Sequence, residues 1–119
     1  MTSVYLVAEA VRCRRAADER TRQELLTRTK EALAELARRV PFSRAYIFGS
    51  LVRPGAFVKG VSDVDVAFEG LANEHFFAAL AFLSSRLGLD VDAVRLEDLA
   101  KSHLAAKIKR EGILWTRDG

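Results

Sequence analysis

The chain is poor in the residues that staple or punctuate a fold. Of its 119 residues one is cysteine, Cys13, and two are proline. No apolar run approaches the roughly 20 residues needed to span a bilayer. A lone cysteine closes no internal disulfide and supplies no zinc cluster, which excludes a disulfide-stapled design and suits a reducing compartment. Cys13 is read as an inert packing residue. The stretch from Val4 to Ala8 is apolar, but Glu9 interrupts it and arginines follow, the wrong charge order and length for a signal peptide. A soluble cytoplasmic protein without membrane association is expected. His75 and His103 stand alone, with no metal-ligand spacing. No Gly-Lys-Ser/Thr ending follows Gly55, and no Gly-x-Ser-x-Gly elbow surrounds Ser50, so a Walker loop and an acyl-transfer serine are both excluded.

Half of the residues are apolar, which permits a modest core without staples, and residues 1–119 are expected to form one domain. The net charge of +3 comes from the first third: residues 1–40 carry nine Lys/Arg against six Asp/Glu, and residues 41–119 carry ten of each. A basic helix can bind nucleic acid. Here no aromatic residue interleaves with the arginines to stack bases, and a solvated helix face is the expected role.

Neither glycine nor proline occurs from Thr2 to Arg39. Leu25/Leu26, Thr29, Ala32/Leu33, Leu36 and Val40 recur at three-to-four spacing, which predicts an amphipathic helix ending before Pro41. Val4, Val7 and Val11 form a second, upstream stripe. One straight helix over the whole stretch would be about 55 Å long, so its beginning is expected either to bend back or to pack on another chain. Ala45 to Phe48 reads as a buried strand stopping at Gly49-Ser50, with Ser50 capping a short helix over Leu51 to Arg53. A loop through Pro54-Gly55 and Lys59-Gly60 leads to a strand from Val61 to Phe68. Asn73 to Leu87 predicts a helix with Phe76/Phe77, Leu80, Leu83 and Leu87 inward, stopped by Gly88. A third strand over Leu89 to Val94, a helix from Glu97 or Asp98 to Arg110, and a short strand at Ile113 to Trp115 complete the order. Tyr46 and Trp115 are read as core. The result is an α/β (α+β) fold, one mixed sheet packed with helices, with a helical segment over residues 1–40 before a core over 41–119.

Within Ser62-Asp63-Val64-Asp65-Val66 the two carboxylates occupy alternate strand positions, so they share a face about 7 Å apart while Val64, Val66 and Phe68 take the other. Two carboxylates on one face suit a pair of hard cations, and Mg²⁺ takes oxygen ligands while keeping substrate phosphates in its shell. The strand Leu89-Asp90-Val91-Asp92-Ala93-Val94 offers a third acid, but Asp90 and Asp92 share a face and periodicity does not choose between them. Gly49-Ser50 adds an anion-binding turn, since glycine lets phosphate approach backbone N–H groups.

Taken together, Phe48-Gly49-Ser50, the loop, Ser62-Asp63-Val64-Asp65-Val66, Val91-Asp92-Ala93-Val94 and the tail Ile108-Lys-Arg-Glu-Gly-Ile-Leu resemble the minimal nucleotidyltransferases of the DNA polymerase β superfamily. The resemblance covers roughly Leu33 to Trp115. It implies a nucleotidyltransferase-like fold in which Gly49 and Ser50 bind nucleotide phosphates, with Arg53 and Ser62 beside them. It further implies that Asp63 and Asp65 hold two Mg²⁺ ions and that Asp92 is the third ligand, next to the attacking hydroxyl, with Asp90 the alternative. The loop Leu51-Val52-Arg53-Pro54-Gly55 departs from the family's usual Arg-Ala-Arg-Gly. Small members of the family are often encoded beside a HEPN-type toxin, and the resemblance implies an antitoxin transferring AMP from ATP onto a toxin tyrosine. The competing expectations are a non-catalytic module that occludes its partner and transfer to a small-molecule acceptor. The stripe of Val4, Val7 and Val11 adds an expectation of self-association or partner docking.

Overall fold

A computed structural model describes residues 3–58 and 63–118. Ser62, Val61 and the Lys59-Gly60 pair, named above, lie outside the described residues, as does the side chain of Val4.

Uninterrupted helix-compatible sequence gives one long helix, α1 (Ser3–Leu36). Its carboxyl-terminal half is amphipathic as the spacing predicts: Leu25, Ala32, Leu33 and Leu36 are buried with Thr29, whose hydroxyl donates to the Leu25 carbonyl at 2.7 Å. The bend back allowed by the sequence does not occur. α1 runs unbroken, about 51 Å at 1.5 Å per residue, and the molecule is 60 Å along its longest axis. Residues 7–17 are exposed, with Val7 60% and Val11 42% accessible, so these two members of the upstream stripe are left uncovered by the described residues.

The strands are β1 (Arg44–Phe48), β2 (Val64–Glu69), β3 (Val91–Arg95) and β4 (Ile113–Thr116). They form one mixed sheet in the order β3-β2-β1-β4. β1 runs antiparallel to both β2 and β4, whereas β2 and β3 are parallel. A parallel pair needs a crossover, and α2 (Phe76–Leu87) supplies it. α2 ends at Gly88, which adopts φ 70 as a left-handed cap that a Cβ would disfavour.

Alternation sorts the sheet into two faces. Ala45, Ile47, Val64, Val66, Phe68 and Val91 pack with Leu25, Leu33, Leu36, Leu83 and Leu87, so α1 and α2 cover one side. Tyr46 and Ala67 face the other way, against Leu96 and against Ala105 and Ile108 of α3 (His103–Glu111). The sheet is thus a middle layer, and every residue two positions from Ala67 or Tyr46 faces α3. Trp115 packs on Phe42 with ring centroids 5.5 Å apart, a core role like that of Tyr46.

Three local expectations need correction. Phe77 is not inward: it is 79% exposed, because Phe76, Ala79/Leu80, Leu83 and Leu87 complete the stripe and position 77 lies about 100° round the helix. The last helix does not start at Glu97 or Asp98. Those residues belong to a 3₁₀ turn (Leu96–Leu99), with Asp98 accepting from Arg95 and Glu97 accepting from the Gly70 N–H, and Ser102 caps α3 by accepting from the Ala105 N–H at 3.4 Å. Ser50 does not cap a helix either: a 3₁₀ turn (Gly49–Val52) begins one residue earlier, with Phe48 at the cap position and no capping side chain.

Candidate active site

Asp65 is the register partner of Asp92 across the parallel β2–β3 pair and of Phe48 across the antiparallel β1–β2 pair. It lies two residues from Ala67 on the face turned toward α3, and Asp92 shares that face with Val94. The burial of Val64, Val66 and Phe68, each 0% exposed, fixes this orientation, because the apolar set can occupy only one side. Asp63 precedes β2 by one residue. Burial, then the charge of Asp92, then that of Asp63, push the Asp65 carboxyl up to about 6 from 3.8. Asp92 and Asp63 therefore lie close enough to Asp65 to oppose its ionisation. Asp90 exerts no such effect on Asp65; it lies before β3, where its carbonyl accepts from the Val64 N–H at 3.3 Å.

The Gly49 turn is built against these acids. Gly49 has φ 79, and a Cβ there would overlap the Asp65 carboxylate. Glycine is required twice over, for the left-handed backbone and for the close approach of a charged side chain. The Ser50 hydroxyl, not spent on capping, is available at the same turn. Arg53, at the end of the turn, is exposed.

A residue that the sequence reading missed holds this turn in place. Arg22 of α1, only 8% exposed, donates through Nη1 to the Leu51 carbonyl at 2.9 Å and through Nε and Nη2 to Glu19 at 2.9 and 2.6 Å. These hydrogen bonds hold the Glu19 carboxyl down to about 2, aided by the Gly55 backbone N–H, and Glu19 in turn raises the Arg22 guanidinium. Glu19-x-x-Arg22 is a helical pair visible in sequence, but its target 29 residues away is not.

Whether the donors suit a divalent ion follows from their chemistry. Oxygen-only ligands on and just before two neighbouring strands, the inner one held back from ionisation by burial and then by its neighbours, are the hard-ligand environment that Mg²⁺ prefers. The described residues form no closed three-ligand cluster as they stand, but Asp63 and Asp92 are exposed and no hydrogen bond among the described residues holds either. Their carboxylates can turn toward a shared cation.

No protein-family model and no curated protein matches the chain. Solved structures do. A structure described as a candidate minimal nucleotidyltransferase is 27% identical over 77% of this chain and 93% of that one, with a TM-score of 0.64. The toxin–antitoxin MntA-HpeT, in a mutant with two Asp-to-Glu changes two positions apart, is 23% identical over 75% of each chain, with a TM-score of 0.56. A candidate nucleotidyltransferase from Sulfolobus solfataricus is 25% identical over 83% of this chain and 86% of its own, with a TM-score of 0.51. The chain has the minimal-nucleotidyltransferase fold. These likenesses support a nucleotidyltransferase as the general kind of protein.

Proposed function

We propose that the protein is a Mg²⁺-dependent nucleotidyltransferase that moves AMP from ATP onto a hydroxyl of a protein acceptor, a tyrosine of a HEPN-type toxin, and so acts as the antitoxin of a pair. The observation that carries the reading is the shared register of Asp65 and Asp92 beside the Gly49 turn. The acceptor oxygen attacks the α-phosphorus, the bond from that phosphorus to the oxygen bridging to the β-phosphate breaks, and pyrophosphate leaves. Asp92 takes the hydroxyl proton. Asp63, Asp65 and Asp92 would hold two magnesium ions, whose chemistry is to neutralise charge on the attacking and leaving oxygens. The Gly49–Ser50 turn binds the phosphate oxygens through N–H groups and the serine hydroxyl, with Arg53 at the end of the turn; Ser62, the further phosphate ligand in this reading, lies outside the described residues.

The fold also supports a bulky acceptor. β3 is an edge strand, so Asp92 stands at an open side of the sheet that a folded partner can approach. One neighbour in fold is a toxin–antitoxin pair, and a protein partner for this chain is in keeping with that likeness. The exposed half of α1 is a second surface for a partner or another copy; deleting residues 1–14 should lower the solution mass or weaken the complex, and an unchanged monomer with unchanged binding would dismiss that role.

The test is incubation with α-labelled ATP, Mg²⁺ and the product of the neighbouring gene. Label should appear on the partner with wild type and vanish with Asp65→Asn. No label with any nucleotide, together with equal suppression of the partner's toxicity by wild type and Asp65→Asn, would replace transfer by occlusion. Label on a small molecule would replace the protein acceptor.

A further inference from the structure

A cavity of about 210 Å³ separates the Gly49 turn from α3, on the sheet face that carries Asp65. Phe48, the register partner of Asp65, lines it, so the cavity begins one strand away from the acid. Its apolar lining is Phe48, Val52, Leu104 and Ile108, and two cations border it from different elements, Arg53 at the turn and Lys107 on α3. Both cations are exposed, and neither makes an ion pair among the described residues. Lys109, two residues further along α3, contrasts with them: its ammonium is 3.5 Å from Glu69. Glu111 also lines the cavity, one helical turn beyond Lys107, without pairing with it.

We propose that Lys107 is a nucleotide-binding residue that, opposite Arg53, clasps the terminal phosphates of a triphosphate whose α-phosphate stands at Asp65 and Asp92. The assignment deepens the nucleotidyl-transfer reading and rests on it. Three converging carboxylates repel a polyanion, and the site needs positive charge where the tail leaves them. The cavity is where that tail must pass, between the backbone N–H groups of the turn and the ammonium of α3. Arg53 offers a planar fork and Lys107 a mobile point charge, a pairing that follows the phosphates as pyrophosphate departs.

Calorimetric binding of inorganic tripolyphosphate with Mg²⁺ tests the assignment directly. Lys107→Ala should weaken binding about tenfold, about 1.4 kcal/mol, Lys107→Arg should restore it to within a few-fold, and Lys109→Ala should leave it unchanged. In transfer assays Lys107→Ala should raise KM for ATP far more than it lowers kcat. Equal tripolyphosphate affinity in Lys107→Ala and wild type, or no binding by wild type, would overturn the clasp; so would a loss of adenosine binding in place of tripolyphosphate binding, which would make the cavity a base pocket. A chain that labels its acceptor with KM unchanged in Lys107→Ala loses the clasp and keeps nucleotidyl transfer. A chain that needs Lys107 for tripolyphosphate yet labels nothing keeps the clasp and loses the transfer reading.

Discussion

Replacing Asp65 by asparagine should stabilise the metal-free protein while abolishing transfer. Folding raises the Asp65 carboxyl from 3.8 to about 6, so the folded state holds this proton more tightly than the unfolded chain does. The sign follows from linkage: the favourable contribution of the protonated group is intact below 3.8 and is lost as pH rises through about 6, leaving an ionised carboxylate that opposes folding. The full shift corresponds to about 3 kcal/mol at roughly 1.4 kcal/mol per unit. Asp65 is partly exposed, and solvent screening cuts this to about 1–2 kcal/mol. Asparagine keeps the shape and removes the charge. At pH 8, with a chelator present, urea unfolding followed by Trp115 fluorescence should therefore show the variant about 1–2 kcal/mol more stable, a rise in Tm of roughly 5 °C. At pH 4 the gap should shrink to about a fifth of that, and Mg²⁺ at pH 8 should narrow it by stabilising wild type alone. A variant less stable than wild type at pH 8, or a gap equal at both pH values, would refute the electrostatic account of the site.

Gly49→Ala should cost about 1–2 kcal/mol from the left-handed backbone and should lower kcat by more than about a hundredfold, since the new methyl displaces the Asp65 carboxylate; thermal melting and label transfer check both parts. Arg22→Met leaves the Leu51 carbonyl without its donor and Glu19 with only Gln23 and the Gly55 N–H, and should destabilise by about 2 kcal/mol, with a fall in transfer measured well below its melting temperature although Arg22 is not among the proposed substrate ligands. Asp92→Asn should lower transfer by at least about a hundredfold and Asp90→Asn by no more than a few-fold, and the reverse ranking in a labelled-ATP assay would move the third acid to position 90.

Much of this arrangement was legible in the sequence because it rests on periodicity. The stripe from Leu25 to Leu36 had only one way to bury itself, and the alternation of Val64, Val66 and Phe68 with Asp65 named both faces of β2. Where periodicity was silent, the reading stopped short. Phe76-Phe77 offered two equivalent rings, and only the position of α2 over the sheet made one buried and the other 79% exposed. Asp90 and Asp92 share a parity, and the strand register that pairs Asp92 with Asp65 is a tertiary fact. Arg22 and Lys107 were two among nineteen Lys/Arg, distinguished by partners and neighbours that sequence distance conceals.

The same alternation explains why the site costs stability. A strand that sends Val64, Val66 and Phe68 into the core has no freedom in where it sends Asp65, and the Gly49 turn then closes against that carboxylate. Hydrophobic burial of three large side chains, worth about 1.5–3 kcal/mol each, outweighs the penalty of about 1–2 kcal/mol for holding one charge beside two others. The core thus enforces an electrostatic arrangement that the acids alone would not adopt, and a cation shared among them would relieve the strain that the core creates. Stability gained by Asp65→Asn and transfer lost through it are for that reason two readings of one interaction.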